Sequence, residues 1–297
     1  MIPFPGRNDN RYLWKKEKTP VSRIAYPGKK YYNRAMSAEK IRLNKYLSEA
    51  GVCSRREADQ LILEGRVTVD GRRAVTGERV ESGQRILVDG KRVTREERKV
   101  LLLFNKPRGI ICTAKNQKDN IVDYVNYPIR VYPVGRLDVD SQGLILLTNQ
   151  GDLVNKIMRA GNYHEKEYLV TVDRPVTEDF LRGMGQGVPI LDTVTRPCTV
   201  TKTGENSFRI ILTQGLNRQI RRMCEYFGYH VVRLNRIRIM NLKLGDLPLG
   251  RYREVTPREM RELRRLLSDS SDMPAAKTGG TYGGSSRKNQ RTGTKVK

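Results

Sequence analysis

Apolar positions along the chain follow two periods. Between residues 41 and 98 the first is helical: Leu43, Tyr46, Leu47 and Ala50 in IRLNKYLSEAG share one face, and Gly51 is a stop. Ser54 and Glu57 are spaced as a capping box ahead of EADQLILEG, where Ala58, Leu61 and Ile62 predict a second short helix. Two β-branched stretches then end in Asp70-Gly71 and Asp89-Gly90, the dipeptide that favours a tight hairpin turn. From residue 99 the pattern is dominated by strands. VLLLFNKP, ended by Pro107, reads as a buried strand, and GLILLTN, EYLVTV, FRIILTQ and HVVRLNRIRI are further candidates. NRQIRRMCEYFG, closed by Gly228, predicts a helix. So does TPREMRELRRLL, with Thr256 as cap, Pro257 at the first helical position and Glu259 completing a capping box. Strands with interspersed helices and no βαβ alternation give an α+β class with a mixed or antiparallel sheet.

Four segments follow: 1–40, 41–98, 99–268 and 269–297. The first and last lack apolar periodicity and read as disordered basic tails; Trp14 sits in the first with no core to join. The 297 residues carry 57 Lys and Arg against 32 Asp and Glu, a net charge of +25 that attracts a polyanion, of which nucleic acid is the commonest in a cell. No apolar run reaches the roughly 18 residues of a membrane span, and MIPFPGRNDN lacks a secretory leader pattern, so no membrane partner and a cytoplasmic location are expected. A monomer is the default, because no segment shows an unexplained apolar face.

Candidate chemistry narrows by exclusion. Cys53, Cys112, Cys198 and Cys224 form no CxxC pair, and His164 and His230 are the only histidines, which argues against a zinc site. There is no G-x-x-x-x-G-K-[ST] loop and no G-x-S-x-G elbow. Gly183, Gly185 and Gly187 read as a turn, Cys112 and Cys224 as small buried residues, and His164 as a satisfied loop histidine. The densest polar cluster is GRLDVDSQGLILLTNQGD, where Asp138 precedes an apolar strand with Arg136 and Asp140 two residues to either side. A carboxylate held there needs a cationic partner, for which Arg221 or Arg222 is available. Such a pair either serves catalysis or simply pins a loop.

Two resemblances bear on that choice. RLNKYLSEAGVCSRREADQLILEGRVTVDG resembles the S-four type RNA-binding domain, in which a two-helix face docks on structured RNA. Arg42, Lys45, Arg55 and Arg56 lie at the polar ends of these helices. FNKPRG, GRLDVDSQGL, KEYLV and QGLNRQIRRM, in this order, resemble the motifs of the RsuA/RluB/RluE/RluF group of ribosomal RNA pseudouridine synthases; HEKEYLVTV, GVPIL and QGLNRQIRRMCEYFGY look most like its RluF branch. The resemblance spans residues 41 to about 267 and implies a pseudouridine synthase catalytic domain preceded by the small RNA-binding domain.

In that group Asp138 matches the essential aspartate and Tyr168 the tyrosine that stacks on the target base. Arg221 matches the arginine that salt-bridges the catalytic carboxylate. Arg136, Lys166, Arg218, Arg222 and Lys106 are expected to support or contact RNA. Isomerising uridine involves no redox change, hydrolysis or phosphoryl transfer, so the implied chemistry calls for no metal or cofactor. Asp138 would attack carbon 1′ or remove the carbon 2′ proton, and the two routes remain open. The base must leave its stack, at a cost of a few kcal/mol. The implied substrate is 23S ribosomal RNA, free or in a pre-ribosomal particle. The alternatives are 16S RNA, a transfer RNA anticodon stem-loop, or a non-catalytic assembly factor.

Overall fold

The computed structural model describes residues 40–81, 83–94, 98–113, 117–268 and 270. The two basic tails, with Trp14, lie outside the described residues apart from Lys40 and Ser270. Among the described residues no helix is long and apolar enough to cross a membrane.

The N-terminal part is built as its periodicity dictates. Helix Leu43–Glu49 buries Leu43 and Leu47, and Gly51 follows with φ +80°, a conformation that ends the helix without steric cost. Helix Arg55–Leu63 begins on a complete capping box: the Ser54 hydroxyl accepts from the Glu57 amide, and the Ser54 amide donates to the Glu57 carboxylate at 2.7 Å. Asp70 (φ +51°) and Gly71 (φ +84°) turn Val67–Val69 into Arg72–Arg73. Asp89 and Gly90 do the same between Ile86–Val88 and Lys91–Arg92. Positive φ at both central residues is the turn whose twist matches the flanking strands. The four strands form one antiparallel sheet, and its apolar side covers Leu43, Leu47, Ala58 and Ile62.

The remaining described residues form around a nine-stranded sheet. Its main path runs Thr199–Gly204, Ser207–Leu212, Lys166–Val172, Val231–Ile239, Gln142–Thr148, Leu101–Lys106, Tyr252–Glu254. Successive neighbours are antiparallel except Val231–Ile239 beside Gln142–Thr148. Both faces of the central strands are covered, which explains their unbroken apolar runs. Leu101 and Leu103 pack with Leu144, Leu146, Ile157 and Leu263 on one side, while Leu102 and Phe104 pack with Ile145, Leu147 and Ile121 on the other. Helices Glu178–Gln186 and Gln219–Tyr226 close a further core through Phe180, Met184 and Met223 against Phe208 and Ile210. The architecture is the α+β arrangement of mixed and antiparallel sheets expected from the pattern.

The two parts touch through polar contacts. Arg130 donates to the Cys53 carbonyl at 2.9 Å, and Lys45, paired with Glu49 of its own helix at 3.6 Å, also reaches Asp152 at 3.3 Å. Lys45 is therefore engaged between the parts, whereas Arg42, Arg55 and Arg56 are exposed.

Candidate active site

The sheet changes polarity at one place, where Asn235 and Arg236 lie in parallel register with Gln142 and Gly143. The GRLDVDS segment enters immediately before Gln142, so its loop stands at the end of that parallel pair.

The loop's backbone is held by three groups from two sequence motifs, FNKPRG and QGLNRQIRRM. Lys106 sends its ammonium to the carbonyls of Pro107 (2.9 Å), Asp138 (3.2 Å) and Ser141 (2.8 Å). The Gly109 amide donates to the Val139 carbonyl at 2.8 Å, and Arg221 reaches the Asp140 carbonyl at 3.4 Å. Every carbonyl from Asp138 to Ser141 thus has a partner. Lys106, expected from the sequence to support or contact RNA, is fully buried at the end of a strand covered on both faces, and burial pulls its pKa down. Its role is to fix the loop.

The loop's carboxylates are less confined. Asp138 is 35% exposed and pairs with Arg218 at 3.8 Å. Arg218 also approaches Asp140 at 3.6 Å, from a left-handed backbone (φ +49°) at the start of helix Gln219–Tyr226. The ion pair expected between Arg221 and Asp138 goes elsewhere: Arg221 binds the Asp140 carboxylate at 3.0 Å and also donates to the Val231 carbonyl at 3.1 Å. The reason is geometric. Asp138 and Asp140 share one turn, and the Arg221 side chain, 8% exposed, emerges beneath the Asp140 end. Arg222 points away, to the Asn217 carbonyl at 3.2 Å.

Asp138 stands between two adjoining clefts. One, of about 610 Å³, is lined by Arg108, Thr113, Arg136, Asp138, Asp140 and Arg218. The other, of about 390 Å³, also takes in Arg136, Asp138 and Arg218 but adds Lys166, Tyr168, Gln214, Arg221 and Arg236. The structure therefore brings Asp138, Tyr168, Arg221, Lys166, Arg136 and Arg218 to one cavity, and keeps Lys106 beneath its floor. The cavity also takes in Arg236 and Gln214, the latter the first residue of QGLNRQIRRM, neither of which is among the site residues expected from the sequence. Arg236 lies in HVVRLNRIRI, which the sequence marks only as a strand candidate.

Lys166 is buried with the His164 carbonyl as its hydrogen-bond acceptor at 3.1 Å. Desolvation, and then the charge of Arg236, push its pKa from 10.5 down to about 8. Below pH 8 the fold carries this disfavoured charge. Between 8 and 10.5 the unfolded chain still binds the proton that the folded chain has released, so stability rises with pH in that window. Lys166→Met is expected to stabilise the protein at pH 7 by about 1–3 kcal/mol. Denaturant melts from pH 7 to 10.5 check this, because the advantage must shrink as pH rises through the window.

Residues 100–226 match the sequence family described as RNA pseudouridylate synthase, and residues 41–86 match the S4 domain. The dual-specificity RNA pseudouridine synthase RluF of Salmonella typhi is 55% identical over 233 residues, covering 77% of this chain and 81% of that one. The ribosomal large subunit pseudouridine synthase B of Bacillus subtilis is 38% identical, with coverage of 76% and 96%. A crystal structure of a pseudouridylate synthase superposes with a TM-score of 0.57 at 28% identity, covering 75% of this chain and 99% of that one. With an S4 domain ahead of a crevice built from these motifs, the chain belongs to the RNA pseudouridylate synthase family and is an isomerase acting on RNA.

Proposed function

We propose that the Asp138 carboxylate performs the isomerisation on a uridine flipped into the cavity shared by Asp138 and Tyr168. The observation that carries this reading is the contrast within one loop: every carbonyl from Asp138 to Ser141 is anchored, while the Asp138 carboxylate faces the crevice with Arg218 as its ion-pair partner among the described residues. A group so placed is oriented yet free to react. Attack on carbon 1′ expels uracil with the electron pair of the N1–C1′ bond, leaving the sugar esterified to Asp138. After the ring turns, carbon 5 takes carbon 1′ and releases the carboxylate. Alternatively Asp138 removes the carbon 2′ proton to give a glycal, and the proton returns when carbon 5 adds. On either route carbon 5 loses a proton and N1 gains one, so atoms balance without any co-reactant. Tyr168 stacks on the base, which offsets part of the unstacking cost at about 1–3 kcal/mol.

The S4 segment, with residues 41–98 as one RNA-binding domain and 99–268 as the catalytic domain, supplies phosphate contacts through Arg42, Arg55 and Arg56. Large-subunit 23S RNA is the target we favour, in the cytoplasm and by a single chain that contributes every group of the site. The large-subunit and dual-specificity names of the relatives support that choice and a second RNA class, of which a transfer RNA stem-loop is the candidate. Unmodified 23S, 16S and transfer RNA are incubated with the protein, then treated with carbodiimide and read by primer extension. New stops in 23S RNA, alone or with a transfer RNA, are expected. Stops in 16S RNA alone would overturn the target assignment, and tight binding with no stop in any RNA would favour an assembly factor.

A further inference from the structure

We propose that Arg236, together with Gln214, reads the carbonyl oxygens of the target uracil. This rests on the placement of the flipped base beside Asp138 and Tyr168. The register between strands Lys166–Val172 and Val231–Ile239 is irregular: Glu167 faces Arg238, yet the next residue, Tyr168, faces Arg236. Ile237 is the extra residue of a bulge. Residues two apart on a regular strand share a face, so without the bulge Arg236 and Arg238 would point the same way. With it, Arg238 joins Glu165 (2.9 Å) and Glu167 (2.5 Å) on one side, while Arg236 turns to the Tyr168 side.

There Arg236 is only 2% exposed, with its guanidinium carbon 6.0 Å from the Tyr168 ring centroid. Its Nε donates to the Leu144 carbonyl at 2.7 Å, but its buried Nη2 has no partner among the described residues. The buried Nε2 of Gln214, on the same cavity wall, has none either. Buried donors left unpaired are costly and rare in finished structures. Both are donors, so a ligand that pairs with them presents acceptors. Uracil offers two carbonyl oxygens at its edge, and a ring stacked on Tyr168 brings that edge to the Arg236 side. Cytosine carries an amine in place of one carbonyl and would set donor against donor. The same cation also stabilises negative charge on the uracil oxygens once the N1–C1′ bond has broken.

The test is a cycle between protein and ligand atoms. A stem-loop containing the uridine mapped by primer extension is made with uridine, 2-thiouridine or 4-thiouridine at that position, sulfur being the poorer acceptor. The wild-type protein is expected to lose about tenfold in kcat/KM on at least one thio loop, and Arg236→Gln about 10- to 100-fold on the uridine loop. Arg236→Gln should then be indifferent to the thio change that the wild type feels. Gln214→Leu, which leaves the buried strand untouched, should show the same indifference to a thio change if Arg236→Gln fails to fold. A uniform loss on all three loops with the thio sensitivity retained would assign the donors to a backbone phosphate and overturn the proposal, as would a wild type insensitive to both thio loops. Asp138→Asn, run in parallel, separates the two readings: activity surviving there removes the site itself, whereas activity lost there with Arg236 insensitive removes only the base-reading role.

Discussion

Asp138→Asn should lower pseudouridine formation by about 10⁴-fold or more while leaving RNA affinity within a few fold. The substitution keeps the shape of the side chain, and the loop does not depend on its charge. Its backbone is held by Lys106, the Gly109 amide and Arg221, and the ion pair that fixes Arg221 goes to Asp140. What disappears is the carboxylate proposed either to bond carbon 1′ or to take the carbon 2′ proton. A carboxamide does neither at neutral pH. Binding is expected to hold or tighten slightly, since one negative charge leaves a site that must accept a polyanion. The measurement is tritium release from RNA labelled at carbon 5 of uridine, because that position loses its hydrogen in the product, together with a filter-binding titration. Undiminished release would refute the role of Asp138. Loss of both release and binding would point instead to a collapsed loop, which circular dichroism and a melting curve would reveal. Asp140→Asn provides the contrast: it breaks the 3.0 Å pair with Arg221 and should cost less in turnover than Asp138→Asn.

Much of this site was legible beforehand because its signals are local. The turn at Asp138, the capping boxes at Ser54 and Thr256, and the two Asp-Gly hairpins each depend on neighbours within a few residues, and each recurs in the structure. The setting of Lys106 was not legible, because a lysine at a strand end gives no sign that three carbonyls will converge on it from residues up to 35 positions away. The partner of Arg221 was misread for a similar reason. GRLDVD presents two carboxylates two residues apart, and only the packing of helix Gln219–Tyr226 beneath the loop decides between them. Helices Gly151–Met158 and Glu178–Gln186 were missed, since each is short and stabilised by docking on the sheet rather than by propensity. Arg236 was out of reach because a bulge, invisible in the alternation of residues 231–239, sets the direction in which it points.

Gly143→Ala should destabilise the protein by about 2–5 kcal/mol, the sum of an overpacked contact and a strained backbone. Gly143 sits at φ +104°, outside the region an L side chain adopts with ease, and a Cβ built on it would strike the Arg236 carbonyl, the Arg236 amide nitrogen and Asn235 Oδ1. Two of these atoms are backbone and cannot swing aside. The position is also the register point of the one parallel pair on the main path of the sheet, Gly143 opposite Arg236, so the strain cannot be relieved without parting the strands. Those strands carry the two halves of the site: Gln142–Thr148 follows the Asp138 loop directly, and Val231–Ile239 holds Arg236 beneath Tyr168. Denaturant melts give the stability change. In whatever fraction remains folded, turnover should fall further than the melts account for, because separating the strands moves the carboxylate away from the wall that holds the base. Gly135→Ala is the control. A Cβ there meets only the flexible end of Met158, so although its φ of +75° exacts a backbone penalty, the strands stay in register and turnover per folded molecule should change much less. If Gly143→Ala melted with the wild type, close approach at the parallel junction would not be what requires glycine, and the coupling between sheet register and catalytic geometry argued from it would fall as well.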